Sequence, residues 1–197
     1  MEKKPLILRK FKYKLLEDGF SKEDINCGVK VLLSRQITMA SQTKKFEEEF
    51  AKKLGVKYAL MVNSGSSANL LATFAAGNPL RKKRFKPGDE VLIPVLCWST
   101  SLWPLVQFGL KPVFVDVDVK SLNVNTNDLI SKISNKTKAI VVINIHGNSS
   151  DIFKIKVIAK KKNIILIEDN CEALGSKLKN KYLGTFGDFA TFSFFYS

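Results

Sequence analysis

The sequence predicts an α/β fold: a mainly parallel sheet with helices on both faces, a three-layer α/β/α arrangement. Apolar runs of strand length stand at 58–62, 90–93, 112–115, 138–143 and 164–168. Helical patterns at 66–76, 101–108, 126–133 and 151–162 separate them. Strands that alternate with helices at this interval form βαβ units, whose crossovers are right-handed and bury the sheet on both sides. The composition agrees, because 45% apolar and 25% charged residues are the shares of a globular chain able to bury a core.

Taken in order, residues 1–20 are basic and weakly patterned, an arm leading to a first helix. Ser21 is a good N-cap with Asp24 in the box position, which sets a helix over about 22–34. Ile37 to Met39 is an extended connection, and Ser41 or Thr43 opens a helix through Phe46 and Phe50 to Leu54, ended by Gly55. Tyr58 to Val62 reads as a buried strand, and Leu70 to Ala76 as a helix stopped by Gly77. Lys86-Pro87-Gly88-Asp89 turns into the second strand, and Asn123 to Asn127 caps the helix before 138–143. After Asp169 the pattern changes to turns at Gly175, Gly184 and Gly187, before an apolar run from Phe189 to Tyr196. No repeat, low-complexity tract or linker interrupts the chain.

Charge and cysteine content narrow the function classes. Lys and Arg total 32 against 18 Asp and Glu, a net charge of +14 that suits nucleic acid, an anionic membrane or an acidic small substrate. The runs Arg81-Lys82-Lys83-Arg84 and Lys160-Lys161-Lys162 fall on a loop and a helix end. No aromatic residues interleave with them as a stacking platform needs, so solvated surface is favoured over a nucleic-acid face. Cys27, Cys97 and Cys171 are odd in number, far apart and joined by a single histidine, which gives neither a disulfide framework nor zinc spacing. The start, Met-Glu-Lys-Lys-Pro, lacks the apolar core of a signal peptide. Val91 to Leu110 carries no charge over the length of a membrane span, but Pro94, Pro104, Gly109 and several hydroxyl residues break it into strand, loop and helix. A cytoplasmic chain with no membrane span is expected.

In an open parallel sheet, ligands bind outside the carboxyl ends of the strands. Those ends gather Ser64 to Asn69, Cys97 to Thr100, His146-Gly147-Asn148, Glu168 to Glu172 and, from the last run, Ser193. Ser64-Gly65-Ser66-Ser67 lies where a strand turns into a helix, leaving N–H groups at the positive end of the helix dipole. A phosphate is the natural occupant there, although an ordinary Ser cap has the same letters. Neither a Walker loop nor a Gly-x-Gly-x-x-Gly pattern is present. A phosphate nest, the Trp98 indole and the Asp169 carboxylate together suit a flat, cationic heteroaromatic phosphate, and pyridoxal 5′-phosphate fits that description. Singly, each residue has a plainer reading: Asp169 as a cap, Trp98 and Trp103 as core, His146 as a hydrogen-bonded structural residue, Cys171 as a small buried filler.

The run Asn63-Ser64-Gly65-Ser66-Ser67-Ala68-Asn69, the segment Pro112 to Asp118 and the stretch Ile167-Glu168-Asp169-Asn170-Cys171-Glu172-Ala173-Leu174-Gly175 occur in that order. Gly184-Thr185-Phe186-Gly187-Asp188 and Phe192-Ser193-Phe194 follow. From about residue 30 onward the chain resembles the DegT/StrS family of pyridoxal-phosphate-dependent sugar aminotransferases, in the fold-type I (aspartate aminotransferase-like) superfamily. The resemblance implies that Gly65, Ser66 and Ser67 hold the phosphate of pyridoxal or pyridoxamine 5′-phosphate, with Ser193 helping. It implies that Trp98 stacks on the ring, Asp169 pairs with the ring nitrogen and Glu172 lies near the ring hydroxyl. It further implies a nucleotide-linked keto-sugar substrate, a place in surface polysaccharide (lipopolysaccharide) biosynthesis, and a homodimer whose partner subunit completes the active site.

Glu172 stands where the aminotransferases carry Gln or His. Glu there resembles the branch that removes the C3 hydroxyl of a 4-keto-6-deoxy sugar, in which a His replaces the Schiff-base Lys. That Lys or His position falls just after Ser197, so the C-terminal part is expected to be missing and the 197-residue chain alone inactive. The expected organisation is an arm and helix over 1–34, then a cofactor-binding large domain over 35–197, incomplete at its C-terminus. The competing readings are a truncated, non-catalytic cofactor-binding fragment and a basic nucleic-acid-binding domain.

Overall fold

A computed structural model describes residues 19–38 and 40–195. They divide into one unit ending at Ser41 and a second over Gln42–Phe195. The N-terminal arm lies outside the described residues. In the first unit, α1 (Lys22–Ser34) starts on a complete capping box: the Ser21 hydroxyl accepts the Asp24 N–H at 3.1 Å, and the Asp24 carboxylate accepts the Ser21 N–H at 2.8 Å. A short Asp thus fills the box position usually given to Glu.

The second unit contains α2 (Ser41–Leu54, all but its first residue), α3 (Gly65–Ala76), β1 (Glu90–Pro94), α4 (Ser99–Gln107), β2 (Lys111–Val115), α5 (Thr126–Ser131) and β3 (Thr137–Ile143). Then come α6 (Ile152–Lys161), β4 (Ile165–Asp169), a small hairpin of β5 (Lys177–Leu178) and β6 (Lys181–Tyr182), and β7 (Phe189–Thr191). The main sheet has the order β2-β1-β3-β4-β7, with every neighbouring pair parallel. Alternate residues of each strand feed two separate cores. Leu92, Ile140, Val142 and Leu166 pack with Leu129 of α5 and Ile152 and Ile155 of α6. Val91, Ile93, Val141 and Ile167 pack on the other face with Ala76 of α3 and Leu105 of α4. The expected three layers follow from this alternation.

Two sequence expectations fail. Residues 58–62 form no strand, and Tyr58 and Leu60 are 77% and 69% exposed. A strand requires a hydrogen-bonding neighbour, and the segment stands away from β7, the nearest sheet edge, across a groove of about 890 Å³. Residues 56–65 line one side of the groove, residues 187–195 the other, and parts of α2 and α3 complete it. Trp103, read as core, is 56% exposed, because α4 buries Ser101, Pro104 and Leu105 instead.

Candidate active site

Asp169 closes β4, flanked by β3 and β7, and is only 4% exposed. A carboxylate removed from water needs donors, and three meet it. Its Oδ2 accepts the Asn69 Nδ2–H at 2.9 Å and the Ser101 hydroxyl at 2.8 Å, while Oδ1 accepts the Cys171 N–H at 3.1 Å. Asn69 belongs to α3 and Ser101 to α4, so both helices on this face aim a side chain at the end of one strand. Thr191 of β7 lies in register with Asp169 and donates its hydroxyl to Asn69 Oδ1 at 2.6 Å.

The phosphate cradle proposed from sequence is the N-terminus of α3. Ser64 is its N-cap: the hydroxyl accepts the Ser67 N–H at 3.1 Å and lies 3.1 Å from the Ser67 hydroxyl. The N–H groups of Gly65 and Ser66 precede the helix's own bonding pattern and stand at its positive end. Gly65 is buried under close neighbours; a Cβ there would lie 2.9 Å from Cys171 Sγ and 3.0 Å from Ser193 Cβ. Only glycine lets the chain after β7 come this near, and the approach sets the Ser193 hydroxyl beside the helix N-terminus. Burial and the Asp169 charge push the Cys171 thiol up, which suits the inert filler expected of it. Cys97 is shifted upward by the same two causes.

Glu172, in the turn after β4, is partly exposed. Its Oε2 accepts the His146 N–H at 3.0 Å and lies 3.3 Å from His146 Nδ1. His146 adopts a left-handed conformation (φ 53°) that turns both groups toward the carboxylate. Trp98 is the N-cap residue of α4, following β1, and its side chain is largely solvent-exposed rather than part of the core.

Glu168, adjacent to Asp169, points to the opposite face and is fully buried. Its oxygens accept N–H groups from Gly184 (2.9 Å), Phe186 (2.7 Å) and Gly187 (2.6 Å). Sequence reasoning placed Asp169, Glu172, Gly65 and Ser193 at this end of the sheet but assigned no role to Asn69, Ser101, Thr191 or the Glu168 anchor. A signal for Asn69 was available: after the Ser-rich first turn, it is the one amide on the buried face of a helix whose other residues there are Ala72, Thr73 and Ala76.

Among the described residues no group of His, Cys, Asp and Glu could hold a metal ion, and no helix is long and apolar enough to cross a membrane. A helix N-terminus whose first N–H groups have no intrahelical partner, a hydroxyl beside it and the buried Asp169 carboxylate at the end of β4 are a set of polar groups matching a phosphorylated pyridinium. The architecture is that of a fold-type I transferase, shared with Helicobacter pylori PseC, an aminotransferase involved in pseudaminic acid biosynthesis (TM-score 0.80, 30% identity, 90% of this chain and 46% of that one). The chain belongs to the DegT/DnrJ/EryC1/StrS aminotransferase family, whose model matches residues 20–197.

Among its relatives, a GDP-4-keto-6-deoxy-D-mannose 3-dehydratase from Yersinia pseudotuberculosis is 42% identical over 185 residues, 94% of this chain and 47% of that protein. A GDP-perosamine synthase from Escherichia coli O157:H7 is 42% identical over 152 residues, 77% of this chain and 40% of that protein. The solved structure of E. coli GDP-4-keto-6-deoxy-D-mannose-3-dehydratase with bound hydrated PLP has a TM-score of 0.88 at 42% identity, covering 93% of this chain and 47% of the other. The chain spans about half the length of the curated relatives it matches.

Proposed function

We propose that this protein is a pyridoxal- or pyridoxamine-phosphate-dependent enzyme acting on a nucleotide-linked 4-keto-6-deoxy sugar for surface polysaccharide biosynthesis, by C3 dehydration rather than transamination. The observation that carries it is the Asp169 carboxylate, fixed by three donors at the end of β4 on the same sheet end as the α3 N-terminus. The N–H groups of Gly65 and Ser66, with the hydroxyls of Ser66, Ser67 and Ser193, would hold the cofactor phosphate. Trp98 would cover a ring face, and Asp169 would hold a proton at the ring nitrogen. Bound in this way, the cofactor supplies an electron sink for charge developing on substrate carbon. Glu172 would act at the ring hydroxyl, its carboxylate aimed by His146. The net charge of +14 suits an acidic nucleotide diphosphate sugar.

Dehydration is preferred because Glu172 stands in the carboxylate form of that motif and because relatives at 40%, 42% and 46% identity are named as 3-dehydratases. Cytosolic placement and a homodimer with a shared active site belong to the same reading. The experiment supplies the full-length protein with GDP-4-keto-6-deoxy-D-mannose, pyridoxal phosphate and an amino donor, and identifies the product by mass and NMR. A 3-deoxy sugar is expected. An amino sugar alone would replace dehydration by transamination, and no saturable cofactor spectrum on folded protein would end the proposal.

A further inference from the structure

We infer that Asn69 is a positioning residue, locked by Thr191, that sets the direction in which Asp169 meets the cofactor ring; this rests on the cofactor reading above. Asn69 is only 8% exposed, and both ends of its amide are in use. Nδ2 donates to Asp169 Oδ2 at 2.9 Å, and Oδ1 accepts the Thr191 hydroxyl at 2.6 Å. An amide turned end for end would set its oxygen against a carboxylate oxygen, so the Thr191 hydroxyl selects the one orientation in which Asn69 can donate. Ser101 supplies a second donor to the same oxygen from α4.

The bonds are unevenly shared. Oδ2 takes two side-chain donors, whereas Oδ1 takes one backbone N–H, from Cys171. Oδ1, which takes fewer N–H and O–H donors than Oδ2, is the oxygen that would meet the ring N–H. Asn69 also links two halves of the site, because α3 carries the phosphate-binding end four residues before it. Movement of the helix N-terminus and rotation of the carboxylate are coupled through one side chain. Side chains fixed in this way hold a reacting group in its productive geometry before the ligand arrives.

The test uses the full-length protein with cofactor carrying ¹⁵N in its ring. Its readouts are the cofactor dissociation constant and the ring-nitrogen NMR shift, followed from mildly acid to alkaline pH. Asn69→Ala should weaken cofactor binding roughly tenfold, the loss of about one charge-assisted bond. The ring nitrogen should also lose its proton at lower pH than in the parent. Thr191→Val keeps the side-chain shape and should move both readouts the same way by a smaller factor, so the inference stays testable if Asn69→Ala does not fold. A fall in melting temperature with an unchanged ring-nitrogen titration in both variants would make the network structural only and overturn the inference. Failure of the parent itself to bind cofactor would instead sink the cofactor reading.

Discussion

Two neighbouring carboxylates show how residue-scale environment divides labour. Burial pushes the Glu168 carboxyl above the usual range, outweighing the three N–H donors and the Lys156 ammonium, which pull it down. A carboxyl with a raised folded-state pKa binds its proton more tightly when folded. Its contribution to stability is therefore complete below the ordinary glutamate range and declines as pH rises through the raised value. Glu168→Gln should abolish that decline. Its amide NH₂ would also face the Gly184 N–H, one donor against another, costing about 1–3 kcal/mol. Denaturant titrations across pH check both effects, and a variant that keeps the parent's pH slope would exclude Glu168 as the titrating group. Asp169 was legible from sequence because the acidic pair Glu168-Asp169 follows the apolar run Ile164 to Ile167. Asn69 and Thr191 were not, since Asn in a helix and Thr in a strand are unremarkable until partners 100 and 122 residues apart are seen to meet.

At the scale of elements, caps and strand composition were readable and pairing was not. Ser21, Ser64 and Asn125 all cap helices where the local letters placed them. Ser64→Ala removes the bond to the Ser67 N–H and should cost about 1 kcal/mol. The loss shows as a lower melting temperature and as faster amide exchange confined to the first turn of α3; exchange unchanged in that turn would mean the cap is idle. The runs at 90–93, 138–143 and 164–168 became strands because each finds a neighbour on both sides. The run at 58–62 has the same composition, but no local pattern reports whether a partner strand lies alongside. Aromatic packing fills part of the space instead: Phe50 meets Phe192 edge-on at 5.3 Å, and Phe46 meets Phe194 at 5.4 Å.

Across the whole second unit, protection should follow the sheet. In the 197-residue chain, amides of 139–143 and 165–169 lie in strands paired on both sides and should exchange slowest. Amides of 58–62, which have no ladder bonds, should exchange among the fastest, apart from Met61, whose N–H the Glu47 carboxylate accepts at 2.8 Å. Hydrogen-exchange mass spectrometry reads both windows, and protection at 58–62 equal to that of β3 would contradict the open groove. The fold class was legible because the strand and helix periods alternate along the chain. The groove was not, since it depends on what stands beside β7.

The alternation along β4 has one more consequence. Asp169 faces α3 and α4, while Glu168 faces the turn at 184–187. A slip of one residue would turn both carboxylates to the wrong face: in one direction Asp169 enters the three-amide socket and Asn170 takes its place, in the other Glu168 meets α3 and α4 and Ile167 enters the socket. The pair therefore works as a reading-frame check on the strand: only one alignment satisfies both acids at once. Inserting or deleting a single residue in β4 would lose the Glu168 anchor and the Asp169 contacts with Asn69 and Ser101 together.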